Sequence, residues 1–283
     1  MDIGVVAELW RYPVKSFGGE NLQTAEIHSD GLTADRAWAL QDSNTGDIVN
    51  GKRCPKILEL SASYNGNAHS GLAYGDKVAT AGIQFPDGRV LSSRDVNIHE
   101  LISDFVNRSV ALVSLQPPED VEHYRLSEAA GAERASSPNL SETSEDILTL
   151  LEQFSCPPGT YVDAYPLHMI TRTALTELQR ESNGDADARR FRPNIIVETE
   201  EESSGFPEFE WVGRGLQIGD ALLRVDSRTL RCSMPARSLP QFGLPSAPEV
   251  NSTLVRLSDR FLGVNLVVVK PGKVILGDRV SLV

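Results

Sequence analysis

Cysteine is scarce. The chain has three in 283 residues, at Cys54, Cys156 and Cys232, too few and too far apart for a disulfide scaffold. There is no Cys-x-x-Cys pair, no His-Glu-x-x-His run, no P-loop and no Gly-x-Gly-x-x-Gly after a strand, which disfavours the common zinc and nucleotide sites. Positive charge is also in deficit. Lys and Arg number 27 against 39 Asp and Glu, a net charge of −12, which argues against non-specific binding to nucleic acid or an anionic membrane. Hydrophobic runs are short. None approaches the roughly 18 residues of a membrane span, and the opening MDIGVVAELW lacks the basic stretch and long apolar core of a signal peptide. The expectation is a soluble, cytoplasmic protein with neither nucleic acid nor membrane among its partners. The five histidines, His28, His69, His99, His123 and His168, lack ligand spacing, and only His168 stands out, for its neighbourhood.

What is present predicts a folded protein of one or two domains: 40% hydrophobic and 23% charged residues over a length able to build a large core. Short strand-like runs dominate the first part: IGVVAELW, LQTAEIH, RAWALQD, ILELSASY and GIQFPDGRVL. Turn chemistry such as Pro86-Asp87-Gly88 separates them, a pattern suited to an antiparallel barrel or sandwich. Ile98, Leu101, Ile102 and Phe105 have the spacing of one helical face. Ser127 to Ser144, rich in Ser, Glu, Ala and Pro, reads as a mobile loop, followed by a short helix in SEDILTLLEQF. Farther on, TRTALTELQRES predicts a helix capped by Thr173, NIIVE a buried strand, and LQIGDALLRVDS and VNLVVVKPGKVILGDRVSLV further strands and turns. The expected class is mainly β with several helices (α+β). Two lobes are expected, residues 1–120 and 121–283, joined somewhere between about 117 and 158, with the N-terminal strands able to pack on the second lobe.

Basic residues fall in structured, partly apolar stretches. RYPVKS holds Lys15 and Ser16, DRAW holds Arg36, GKRCP holds Lys52 and Arg53, RRFRPN holds Arg189, Arg190 and Arg192, and LRCSMPAR holds Arg231 and Arg237. Such a set either converges into an anion pocket, where guanidinium forks match phosphate oxygens, or forms a solvated face of surface ion pairs. Cys232 is open to two readings as well. It is a small core hydrophobe, or a reactive thiolate favoured by Arg231 and presented at a strand end by the Pro235 turn.

Taken in order, LWRYPVKSFGGE, GLTADRAWAL, PLHMITRTAL, RFRPNIIVE, RCSMPA and PGKVILGD resemble the MOSC domain proteins (molybdenum cofactor sulfurase C-terminal), preceded by their N-terminal β-barrel domain. The similarity is to the branch holding bacterial MOSC oxidoreductases and the mitochondrial amidoxime-reducing component. It implies a MOSC N-terminal β-barrel lobe followed by a β-barrel-like MOSC domain. It also implies a molybdenum-molybdopterin cofactor whose metal is ligated by Cys232, the catalytic residue, soft sulfur suiting that metal. Lys15, Ser16, Arg36, Thr171, Arg172, Arg192, Asn194 and Arg231 are then the cofactor-binding residues, with backbone N–H groups at a helix start assisting. The implied activity is reduction of N-hydroxylated or related N-oxygenated small molecules. Three dispersed cysteines cannot form a plant-type iron–sulfur centre, so electrons are expected from an external partner, ferredoxin-like or a flavin reductase.

The sequence departs from that branch at Leu230, where relatives often carry Ser, and in ARSLPQFGLPSAPE, where they carry a Val-Asp-Pro-like stretch. The alternative within the resemblance is a cofactor carrier or sulfur-transfer protein with a Cys232 persulfide. Pyridoxal phosphate binding attaches to the family at large, and the chain is expected to have no room for a pyridoxal-phosphate desulfurase domain of its own. A third possibility is a MOSC fold that binds another ligand without molybdenum, marked by a buried Cys232 and solvent-facing basic residues.

Overall fold

The structure, a computed structural model, describes the chain apart from residues 66–67, 69–72, 136–141, 183–185 and 200–203. His69 and part of the expected loop therefore lie outside the described residues. In chain order the elements are β1 (Asp2–Arg11), β2 (Glu20–Leu22), β3 (Thr24–His28), β4 (Gly31–Leu32), β5 (Trp38–Asp42), β6 (Ile48–Val49), β7 (Ser61–Ser63), β8 (Gly82–Gln84), β9 (Val90–Ser92), α1 (Ile98–Val106), β10 (Val110–Ser114), α2 (Val121–Tyr124), α3 (Glu128–Ala135) and α4 (Glu145–Gln153). They continue with β11 (Leu167–Thr171), α5 (Arg172–Glu181), β12 (Ile195–Thr199), β13 (Gly215–Ile218), β14 (Ala221–Leu230), α6 (Pro248–Ser258), β15 (Phe261–Lys270), β16 (Gly272–Ile275) and β17 (Arg279–Leu282). No described helix is long and apolar enough to cross a membrane.

The elements group into two units. The first comprises Met1–Arg11, Glu20–Thr33 and Tyr165–Val283, and the second Tyr12–Gly19 and Ala34–Ala164. The first unit is built on a closed barrel in the order β12-β11-β15-β14-β13-β17-β1, with β1 returning to β12 and β2 added beside β1. β1 turns Ile3, Val6 and Leu9 inward, a spacing of three rather than two. Its register slips between Asp2 and Gly4 and between Val6 and Glu8, and each irregularity resets which side chain faces the core. Every pairing in the barrel is antiparallel except β11 with β12, which run parallel and are joined through α5. A parallel pair needs such a crossover, so the barrel acquires a helix whose first turn starts at the end of an interior strand. α5 buries Ala174, Leu175 and Leu178 in a second core with Val250 and Leu254 of α6.

The second unit holds two three-stranded sheets, β10-β5-β6 and β7-β8-β9, around a core that includes Trp38, Leu40, Ile83, Ile102 and Leu112. The helix over Ile98 to Val106 and the hairpin at Pro86-Asp87-Gly88 match the sequence pattern. Two segments differ from it. ILELSASY is not one strand: Pro55 opens a 3-10 turn over Pro55–Glu59, because proline fixes φ and has no N–H to donate, and pairing starts only at Ser61. Within the expected loop, Glu128–Ala135 is helical. Its alanines and glutamates favour helix by intrinsic propensity, a signal that apolar periodicity misses. Asp47 anchors this helix by accepting from the Ser127 backbone N–H at 2.8 Å and hydroxyl at 2.6 Å.

Candidate cofactor site

β14 pairs with β15 as far as Leu230, opposite Phe261, and Cys232 follows where the ladder stops. A 3-10 turn over Met234–Ala236 comes next, with Pro235 in its first turn. This turn brings the Met234 N–H to 3.5 Å from the Cys232 Sγ. Cys232 is exposed, whereas Cys54 and Cys156 are buried. Of the two readings open for Cys232, the core hydrophobe is therefore excluded.

Arg231 does not reach toward solvent. It donates to the Phe191 carbonyl at 2.7 Å, lies 5.3 Å above the Phe191 ring and places Nη1 3.3 Å from His168 Nε2. Guanidinium has no acceptor atom, so this last contact is a hydrogen bond only when Nε2 is unprotonated. The His168 ring also leaves no room beside Gly263: a Cβ there would lie 2.6 Å from Nε2.

Thr171, fully buried at the end of β11, caps α5, its hydroxyl accepting the Ala174 N–H at 3.1 Å. The expected cap, Thr173, instead lies inside the helix, with its hydroxyl against that of Thr199. The helix starts two residues earlier than the sequence pattern indicates, directly from the end of β11, so the first helical N–H groups meet Thr171. The Thr171 hydroxyl donates in turn to Glu208 Oε2 at 2.6 Å. Burial pushes the Glu208 carboxyl up to about 7, with the Thr171 hydroxyl and neighbouring backbone amides limiting the rise. Arg172 is committed to two carboxylates, Glu8 and Glu198, each at 2.8 Å.

Asn194 works as a brace. Its backbone N–H reaches the His168 carbonyl at 2.8 Å, its Oδ1 accepts the His168 N–H at 3.2 Å, and its side-chain amide donates to the Trp10 carbonyl at 3.3 Å. β1 and β11 are thereby fixed at the point where β12 begins. Arg192, two residues earlier, is left-handed at φ 54° although it precedes Pro193. Residues before proline ordinarily prefer extended backbone, so this conformation is strained.

Lys15, Ser16 and Arg36 belong to the second unit. Lys15 is buried, donating to the Tyr161 carbonyl at 2.8 Å and to Asp163 at 2.5 Å. The Ser16 hydroxyl accepts the Gly51 N–H at 3.1 Å, while Arg36 pairs with Asp35 and lies 5.1 Å above the Tyr12 ring. Ser16 and Arg36 are left-handed, at φ 68° and 50°. Strained backbone of this kind costs about 1–3 kcal/mol per residue and tends to gather at functional positions.

Two residues of this region carried no chemical assignment in the sequence. Glu208 stands in FPEFEW without a motif to mark it, and Arg190 was one member of a basic run. Its depth, at 4% exposure, is a property of the fold.

These features sit in a recognisable framework. The MOSC N-terminal beta barrel domain matches residues 3–97 and the MOSC domain matches 158–281, and the chain belongs to the MOSC domain proteins. Among curated relatives, human mitochondrial amidoxime-reducing component 1 is 26% identical over 99% of this chain and 83% of its own length. Molybdenum cofactor sulfurase of Drosophila erecta is 26% identical over 87% of this chain, which spans only 29% of that longer protein. The YuaD protein from Bacillus subtilis superposes with a TM-score of 0.47 at 13% identity, covering 98% of this chain and 94% of its own. The curated relatives associate the family with the molybdenum cofactor. The donor chemistry here fits such a group: Cys232 offers an exposed sulfur outside any disulfide, at a strand end with a backbone N–H turned toward it.

Proposed function

We propose that the chain binds the molybdenum cofactor and reduces N-hydroxylated or related N-oxygenated compounds with electrons from an external donor, ferredoxin-like or a flavin reductase. The observation that carries this reading is the exposed, turn-held Cys232 at the open end of β14. When bound, the cofactor supplies the oxygen-transfer and redox chemistry. Cys232 would be the metal ligand. In its own unit, the first turn of α5 behind Thr171 and the FRPN stretch with Arg192 and Asn194 would contribute donors for the pterin and phosphate. Lys15, Ser16 and Arg36 are proposed as cofactor-binding residues on the family resemblance. Arg231 and Asn194 hold the strand ends in place, and Arg172 meets an anion only by sharing itself with Glu8 and Glu198.

The test is elemental analysis of molybdenum in the full chain and in Cys232→Ala, both produced in a host that makes the cofactor. Near-stoichiometric metal in the wild type and its loss in the variant are expected, followed by turnover of an N-hydroxylated amidine with a chemical reductant. A well-folded wild type without molybdenum would overturn the reading. Cyanide-labile sulfur on Cys232 with no reductase turnover would favour the sulfur-transfer alternative, which the sulfurase similarity also supports.

A further inference from the structure

Arg190 is a charged side chain at 4% exposure. Its Nη1 donates to the carbonyls of Pro235 at 3.3 Å and Arg237 at 2.9 Å, and its Nη2 donates to the carbonyl of Pro245 at 2.7 Å. The acceptors come from both limbs of the loop that starts at Cys232 and ends at α6. A loop of this kind lacks the ladder that satisfies carbonyls in a sheet, and a planar fork of donors serves several at once where an ammonium cannot.

The neighbouring residues are arranged to hold that fork. Asp187 caps the 3-10 turn over Ala188–Arg190 by accepting the Arg189 N–H at 2.9 Å and grips the Arg189 side chain at 2.8 and 2.6 Å. Arg189 in turn lies 4.7 Å from the centre of the Phe242 ring, on the same loop. Arg231 closes the arrangement from the other side through the Phe191 carbonyl.

We infer that Arg190 is a positioning residue for Cys232: by tying the carbonyls of Pro235, Arg237 and Pro245 together it fixes the turn that presents the sulfur. The role of Cys232 as the presented ligand rests on the function proposed above, whereas the clamp itself is a property of the apoprotein. The bonds to these three carbonyls reach Cys232 through the loop.

Amide exchange and native alkylation of the full chain, without cofactor, test this. The Ala236, Arg237 and Ala247 amides are bonded to the Ser233, Met234 and Ala236 carbonyls inside the loop. In Arg190→Ala these amides should exchange at least about tenfold faster, equivalent to about 1.4 kcal/mol, while the β11 and β12 amides keep their rates. Cys232 should react with a neutral maleimide several-fold faster, with Cys54 and Cys156 remaining protected. Ethylguanidinium, the part of the side chain that alanine lacks, should refill the hole with the same fork and slow both reactions again. Arg190→Lys should fall between wild type and alanine, and it carries the comparison if alanine does not fold.

Unchanged loop exchange and unchanged Cys232 reactivity in a folded variant would overturn the clamp. So would equal acceleration of loop and barrel amides, since Arg190 would then support the unit as a whole. Absence of molybdenum from the wild type would remove the proposed function and leave these measurements intact, so the two failures are separable.

Discussion

Replacing Glu208 with glutamine removes a fully buried carboxyl while keeping its shape and an oxygen to accept the Thr171 hydroxyl. Burial raises this carboxyl from an ordinary 4.5 to about 7. Between those values the folded protein retains a proton that the unfolded chain has released, so this group's contribution to stability falls as pH rises and levels off above about 7. A gap from 4.5 to about 7, at about 1.36 kcal/mol per pH unit, amounts to about 3 kcal/mol. Oε1 of this carboxyl has no hydrogen-bond partner among the described residues. The assay is urea unfolding of wild type and Glu208→Gln at intervals from about pH 5 to about pH 8, read as the difference between the two proteins. Taking the difference cancels groups common to both. Asp42 and Asp187 are examples: burial alone would raise them, but arginine and backbone donors hold them below the usual range, so their contribution is lost as pH falls. The variant is expected to gain about 3 kcal/mol on wild type across the interval. Stability curves that run parallel over the whole range would refute the reasoning.

Gly263 is left-handed at φ 73°, and a Cβ there would sit 2.5 Å from the Met169 carbonyl oxygen and 2.6 Å from His168 Nε2. Gly263→Ala should therefore cost about 2–5 kcal/mol from the backbone and overpacking effects together, and lower the melting temperature by about 5–15 °C. A drop below about 2 °C in calorimetry would contradict it. The thiols make a simpler count: a membrane-permeant or bulky disulfide reagent should titrate one of three cysteines in the native chain and all three after unfolding, and a second native thiol would contradict the burial of Cys54 and Cys156.

The local elements were legible where chemistry and periodicity agreed. The Pro86-Asp87-Gly88 hairpin, the apolar face of α1 and the turns at Gly219-Asp220 and Pro271-Gly272 needed only short-range information. α3 escaped because its signal is composition without period. The cap of α5 was misplaced by two residues, since threonines at 171 and 173 offer equivalent oxygens and only the pairing of β11 with β12 decides between them. The candidate site divides in the same way. Cys232 was marked by its turn and by the resemblance, but the depth of Arg190 and Glu208 is set by segments far away in sequence. The run RRFRPN reads as one basic stretch, yet Arg189 stacks on a ring, Arg190 holds carbonyls and Arg192 adopts a strained backbone. Three consecutive-looking charges have three different jobs, and only tertiary contacts separate them.

The closure of the barrel also dictates an order of events. β1 lies far ahead of two of its partners, β12 and β17, and Asp2 pairs with Ser281. During synthesis β2 can pair early with Leu9–Arg11, but the edge that takes β12 stays open until residues 195–199 exist, and the ring cannot close before residues 279–282 do. Pairings of such long sequence separation form slowly. Meanwhile Ala34–Ala164, an uninterrupted stretch, makes up most of the other unit and can condense early. The polypeptide is thus threaded so that the unit carrying Cys232 closes only after β17 is made, and a chain interrupted before residue 279 would hold an open sheet edge.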